Sequence, residues 1–165
     1  MSKITLGGNE VHTIGELPSV GSTIKDFKLV DSGLNEKSLE SFEGKRKIFN
    51  IFPSVDTGIC AQSARKFNEE ASKLNNAVII NVSKDLPFAM KRFCAAEGID
   101  NAETLSDFRG TFGDDFGVTM EDSPMKGLLS RAVVVTDENN KVLYTEQVPE
   151  IGHEPNYENA INALK

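Results

Sequence analysis

Two cysteines, Cys60 and Cys94, are the residues of this chain best suited to chemistry. They stand 34 positions apart, so they form neither a Cys-x-x-Cys redox pair nor a zinc knuckle. Cys60 ends the stretch Pro53-Ser54-Val55-Asp56-Thr57-Gly58-Ile59-Cys60, where an apolar strand-like run gives way to helical spacing. At a helix N-terminus the free N–H groups and the positive end of the dipole favour a thiolate over a thiol. Thr57 lies within one turn of Cys60, so its hydroxyl is within reach of that thiolate and of a bound oxygen atom. Thr-x-x-Cys in place of Cys-x-x-Cys removes local dithiol exchange and leaves a lone nucleophile. A plainer reading stands beside this one. Cys60, Ala64, Phe67, Ala71 and Leu74 recur at helical spacing, and a free cysteine on an apolar face is commonly a small core residue.

The other candidates carry the same ambiguity. Cys94 adjoins Phe93 at the edge of a Leu86/Met90/Phe93 stripe; it is either a half-buried packing residue or the thiol that resolves an oxidised Cys60. Arg131 leads into Ala132-Val133-Val134-Val135, as an ordinary solvated strand-end charge or as a site cation. Beside Cys60, its guanidinium would favour the thiolate and polarise a peroxide. His12 and His153 lie near opposite ends of the chain. With the two cysteines they make no standard zinc spacing, and neither falls in a motif that would make it the base of a Cys-His hydrolase. Lys45-Arg46-Lys47 reads as a solvated strand start, and glycine pairs such as Gly7 and Gly15 lack a phosphate-loop context.

The elements that must position these residues follow from periodicity. Ile4–Leu6 and Val11–Ile14 flank Gly7-Gly8-Asn9 and read as a hairpin. Gly15 to Ile24 reads as loop, and Phe27 to Val30 as a short strand. Residues 45–52 form a strand ending at Pro53, and Ala77 to Val82 is a nearly continuous apolar strand suited to a buried central position. With the helix between them they make a βαβ unit with a right-handed crossover. A second helix starts at Pro87 and ends by Gly98. Arg131–Thr136 and Val142–Val148 form a second hairpin, and a last helix begins near Pro155 with Tyr157, Ala160, Ile161 and Leu164 on one face. The order predicts an α/β, thioredoxin-like fold with a mixed central sheet, flanking helices and an added N-terminal β-hairpin.

Composition narrows the classes. Residues 1–165 are expected to form one domain, with residues 1–16 as the hairpin, because the chain has no repeat and no long linker. A hydrophobic fraction of 39% and a charged fraction of 26% are those of an ordinary globular protein. A net charge of −7 argues against nucleic acid as a partner. Two cysteines do not make a disulfide scaffold. Neither a signal-like start nor an 18-residue apolar run is present, which predicts a cytoplasmic protein with no membrane partner.

At these residues the chain resembles the bacterial thiol peroxidases, the atypical two-cysteine branch of the peroxiredoxins. The resemblance rests on Asn50 to Cys60 with its Pro53-x-x-x-Thr57-x-x-Cys60 core. It rests also on Asp85-Leu86-Pro87-Phe88-Ala89, Arg92-Phe93-Cys94, Ala96-Glu97-Gly98 and Arg131-Ala132-Val133-Val134-Val135. It spans nearly the whole chain, early hairpin included. It implies that Cys60 is the peroxidatic nucleophile and Cys94 the resolving cysteine, joined by a Cys60–Cys94 disulfide. Thr57 and Arg131 match the activating residues, and Pro53 matches the proline that shields the thiolate. The segment Met120 to Leu129 matches a region near the pocket and dimer contact. The implied activity is reduction of hydrogen peroxide and organic hydroperoxides, with thioredoxin as reductant, in a homodimer. No metal, haem or flavin cofactor is expected. The alternative is a thiol-based redox sensor using the same disulfide without turnover. Because bridged Cα atoms lie roughly 4.4–6.8 Å apart, the turn around Cys60 or the helix bearing Cys94 is expected to unwind on oxidation.

Overall fold

The computed structural model describes residues 2–99 and 102–165, and the side chain of Ala71 lies outside what it describes. The chain opens on the expected hairpin, β1 (Lys3–Leu6) against β2 (Asn9–His12), with Ile4 opposite Val11. Gly7 and Gly8 sit at φ +58° and +86°, the left-handed backbone that a two-residue hairpin turn requires of both residues. Next come β3 (Leu29–Val30), β4 (Glu36–Lys37) and a 3₁₀ turn at Leu39–Phe42.

The βαβ unit follows: β5 (Arg46–Ile51), helix α1 (Gly58–Ala71) and β6 (Ala77–Ser83), with β5 and β6 parallel and adjacent. Helix α2 (Pro87–Glu97) has proline at its start and a left-handed Gly98 cap at φ +67°. Then come β7 (Glu103–Ser106), the short α3 (Phe112–Asp115), β8 (Ala132–Thr136), β9 (Val142–Gln147) and α4 (Tyr157–Asn162). The seven-stranded sheet runs β4-β3-β7-β6-β5-β8-β9. Strands β5, β6 and β7 are parallel, and the strands on either side of them run antiparallel. This is the mixed α/β, thioredoxin-like arrangement that the element order predicts.

Side chains along a strand alternate between faces, so an unbroken apolar run needs cover on both. In β5, Phe49 and Ile51 meet Phe27, Phe112 and Phe116 on one face; Phe112 and Phe116 stack at 4.0 Å. On the other face Ile48 packs with Phe67 of α1 and with Ala160, Ile161 and Leu164 at the C-terminal end of the chain.

Several sequence expectations are corrected. Leu86 is not on the buried stripe of α2: it is the N-cap and is 53% exposed, while Met90 and Phe93 are buried. Lys47 is not solvated. Strand alternation turns it inward, and its Nζ donates to the Lys45 carbonyl and to Asn140 Oδ1 (2.7 Å). Burial lowers its pKa from the usual lysine range. Strand β3 is shorter than the expected 27–30, while α4 starts at Tyr157, capped by Asn156, near Pro155 as expected. The short β4, β7 and α3 carry too little periodicity to be legible.

Candidate active site

The βα turns after β5 and β6 fall at the C-terminal edge of the sheet, where open α/β folds gather their sites. The first runs from Phe52 to Thr57. Pro53 is buried and removes one backbone donor. Thr57, extended at φ −104° and ψ 141°, is the N-cap of α1. Its hydroxyl accepts from the Cys60 N–H (3.4 Å) and donates to the Ser54 carbonyl (3.2 Å). The cap therefore fixes the first turn around Cys60, and the hydroxyl proton goes to a backbone carbonyl. Cys60 itself has no exposed surface and lies among Phe52, Val55, Ala64, Phe93 and Ile99.

Arg131 lies one residue before β8, just beyond the Ile51–Ala132 pair of the β5–β8 ladder. That register brings it to the same sheet edge as the Pro53 turn. It is 2% exposed, against the solvated alternative. Its Nη1 donates to Cys60 Sγ at 3.3 Å, and its Nε donates to the Ile151 carbonyl at 2.6 Å. Among the described residues no carboxylate lies within ion-pair distance of this guanidinium. The sulfur is thus held against a buried cation at a helix N-terminus.

Cys94 is not at a helix start. It lies in the last turn of α2, about 10 Å along the axis from Pro87 at 1.5 Å rise per residue. It is half-buried, packs on the edge of the Cys60 cluster, and donates from Sγ to Thr104 Oγ1 (3.2 Å). Both thiols are free in this structure. Cys60, Thr57, Pro53 and Arg131 are thus gathered at one edge, and Cys94 stands beside them without a bond to Cys60.

Sequence reasoning missed the residues that hold this edge together. Asp85, after β6, accepts from Ser54 Oγ (2.9 Å), the Val55 N–H (2.8 Å) and Ser83 Oγ (2.5 Å), so it clamps the Pro53 turn to the second βα turn. Gln147 donates to the Arg131 carbonyl (3.0 Å) and fixes its backbone from β9. Tyr157 stacks edge-on against Phe67 at 5.0 Å; burial, and then its bond to Glu154, raises its hydroxyl well above the ordinary tyrosine range. Asn50 and Asn81 are paired in register, and Asn50 donates to Asn81 Oδ1 (2.9 Å) and to Ser63 Oγ (3.3 Å). Ser63 in turn donates to the Cys60 carbonyl (3.0 Å). Two asparagines interrupting apolar strands are a legible signal; a turn aspartate is not.

His12 pairs with Asp122, and among the described residues no three His, Cys, Asp or Glu side chains converge as a metal site. No helix among the described residues is long and apolar enough to cross a membrane.

Comparison with known proteins agrees with this geometry. The family model Redoxin matches residues 19–161. The chain is 54% identical over 164 residues to a thiol peroxidase of Corynebacterium glutamicum, covering 99% of both chains. It is equally similar, at 54% over 99% of both, to a thiol peroxidase of Mycobacterium tuberculosis. Its fold matches the crystal structure of a peroxiredoxin-like protein from Aquifex aeolicus with TM-score 0.94 and 35% identity, covering 99% of this chain and 96% of the other. A lone capped cysteine against a buried arginine, on this sheet and in a chain this similar end to end, places the protein in the Redoxin family, among the thiol peroxidases.

Proposed function

We propose that this chain reduces hydrogen peroxide and organic hydroperoxides at Cys60. One observation carries the reading: the buried Arg131 guanidinium donates to the buried Cys60 sulfur at 3.3 Å. A structural core cysteine needs no such partner, and burying a guanidinium is costly unless its hydrogen bonds and charge are answered.

In the proposed reaction the Cys60 thiolate attacks the terminal oxygen of ROOH. The S–O bond forms as the O–O bond breaks, and the leaving oxyanion takes a proton to give water or an alcohol. Arg131, the first-turn N–H groups and the Thr57 hydroxyl answer the charge moving from sulfur to oxygen. For the last of these roles, the Thr57 proton must turn from Ser54 toward the peroxide. Pro53 keeps a competing donor and water from the sulfur. Cys60 is left as a sulfenic acid. The Cys94 thiolate then attacks its sulfur, the S–O bond breaks, water leaves, and a Cys60–Cys94 disulfide forms. A dithiol protein of the thioredoxin class returns two electrons and two protons.

Cys94 lies in the last turn of α2, so bridging requires that turn or the first turn of α1 to unwind. The chain acts as a single domain over residues 1–165, in the reducing cytoplasm, as a homodimer. End-to-end similarity to the two thiol peroxidases supports the single domain.

The test is steady-state turnover of an organic hydroperoxide with thioredoxin and its reductase, with mass spectrometry of the oxidised monomer. Sustained consumption, abolished in Cys60→Ser, and a Cys60–Cys94 bridge are the expected results. Oxidation that stops after one event per chain would make the protein a redox sensor instead.

A further inference from the structure

An arginine side chain is long and flexible, and its planar guanidinium is oriented only when two of its donors are engaged. Arg131 engages Nη1 with Cys60 Sγ and Nε with the Ile151 carbonyl. That carbonyl therefore decides which way the cation faces. Ile151 lies in the loop between β9 and α4, which the main sheet does not include. What holds it is the N-terminal hairpin. The Thr5 N–H donates to the Pro149 carbonyl (2.8 Å), and the Ile151 N–H donates to the Thr5 carbonyl (2.9 Å), so the loop runs parallel to β1 as an added strand. Ile151 is buried with Ile4, Val11 and Met120.

The carboxylate of Glu150 locks this pairing. Its Oε1 accepts from Thr5 Oγ1 (3.0 Å) and from the Gly8 N–H in the hairpin turn (2.9 Å). Its Oε2 accepts from the Gly152 N–H (2.9 Å) on the far side of Ile151. These bonds, Gly152 first, hold the carboxyl down at about 2, so the lock is charged at any physiological pH. One side chain thus grips the hairpin and both sides of the residue whose carbonyl receives Arg131.

We propose that the N-terminal hairpin is part of the active site, and that Glu150 and Thr5 are positioning residues that aim Arg131 at Cys60 through the Ile151 carbonyl. The proposal rests on the assignment of Cys60 and Arg131 above. Glu150 touches no reacting atom, so its effect must pass through Arg131 and vanish when Arg131 is gone.

The experiment is a double-mutant cycle read as the single-turnover rate of Cys60 oxidation by hydrogen peroxide, on the full chain. Glu150→Ala in the native background is expected to slow oxidation about tenfold, through a misaimed guanidinium. In the Arg131→Met background the same change is expected to have less than about a twofold effect, because coupled residues are not additive. Glu150→Gln, which keeps an oxygen for Thr5 and Gly8, is expected to recover about half of the loss on a logarithmic scale. It serves as the test variant in both backgrounds if Glu150→Ala does not fold. Equal slowing in both backgrounds, or no slowing in either, overturns the proposal. An Arg131→Met protein that oxidises at the native rate overturns the underlying assignment of Arg131, whatever Glu150 does.

Discussion

The clamp at Asp85 sets how firmly the turn before Cys60 is held, and its removal has a calculable effect. Asp85 accepts three hydrogen bonds, of which two, from Ser54 Oγ and from the Val55 N–H, reach across to the Pro53 turn. A hydrogen bond to a charged group contributes about 1.5–3 kcal/mol. Asp85 is half-buried, so the low end applies, and Asp85→Ala removes about 3 kcal/mol of restraint on residues 53–57. At 1.36 kcal/mol per decade the turn opens about 150-fold more often. Hydrogen exchange read at Val55, Thr57 and Cys60 is the direct assay, since local opening limits exchange there. The rate of Cys60 oxidation should fall by up to about a hundredfold, as expected when a reacting group is displaced by about 1 Å. Asp85→Asn keeps one acceptor and should lie between. Unchanged exchange at Val55 and Thr57 in Asp85→Ala would refute the clamp.

The remaining predictions concern other parts of the chain. The His12–Asp122 bond raises the His12 pKa, so its contribution is fully present below the unfolded value near 6.5 and is lost as pH rises through the folded one. Thermal melts across pH 5 to 9 should show that loss in the native chain and not in His12→Asn. Phe67→Ala should cost about 3–5 kcal/mol in denaturant unfolding, because it empties the α1 face against Ile48, Ile79 and Tyr157. Thr104→Val removes the acceptor that Cys94 Sγ has among the described residues, releasing about 1 kcal/mol of restraint. It should speed disulfide formation several-fold in rapid-quench mass spectrometry without changing Cys60 oxidation. Gly117→Ala should destabilise the fold by more than about 1 kcal/mol in the same unfolding assay, since φ is +69° and a Cβ would meet the Glu16 backbone.

The parts legible in the sequence are those that rest on local rules. The Gly7-Gly8 turn, the apolar runs of β5, β6 and β8, and the Pro87 and Gly98 boundaries of α2 are each fixed by backbone chemistry within a few residues. The nearness of Thr57 to Cys60 is equally local, but its role as the cap of α1, with its proton on the Ser54 carbonyl, is seen only in the structure. What escaped depends on register. Whether Arg131 is solvated or buried cannot be read from its neighbours; it is decided by the pairing of Ile51 with Ala132, which brings two distant segments to one edge. The burial of Lys47 is hidden in the sequence for a related reason: its partner Asn140 comes from a turn 93 residues away. Asp85 and Glu150 escaped because a turn carboxylate looks solvated until the N–H groups it receives are in view. Cys94 lies in the last turn of α2 and not at a helix start, and its neighbour Thr104 lies on a strand too short to declare itself.

The burial of Arg131 against Cys60 would link the redox state of the chain to its folding. In the proposed thiolate form of Cys60, the cation and the sulfur would neutralise each other in a water-poor setting. Sulfenic acid and disulfide are neutral, so either oxidised form strands a positive charge that the fold has already removed from water. The reduced fold should therefore be favoured over the oxidised one, and by thermodynamic linkage the same free energy should raise the reduction potential of the proposed Cys60–Cys94 disulfide. Oxidation should lower the melting temperature and weaken the packing around α1 and α2. The stranded charge would then favour return of the proposed disulfide to a dithiol donor. Arg131→Met should narrow the gap between the melting temperatures of the two redox forms.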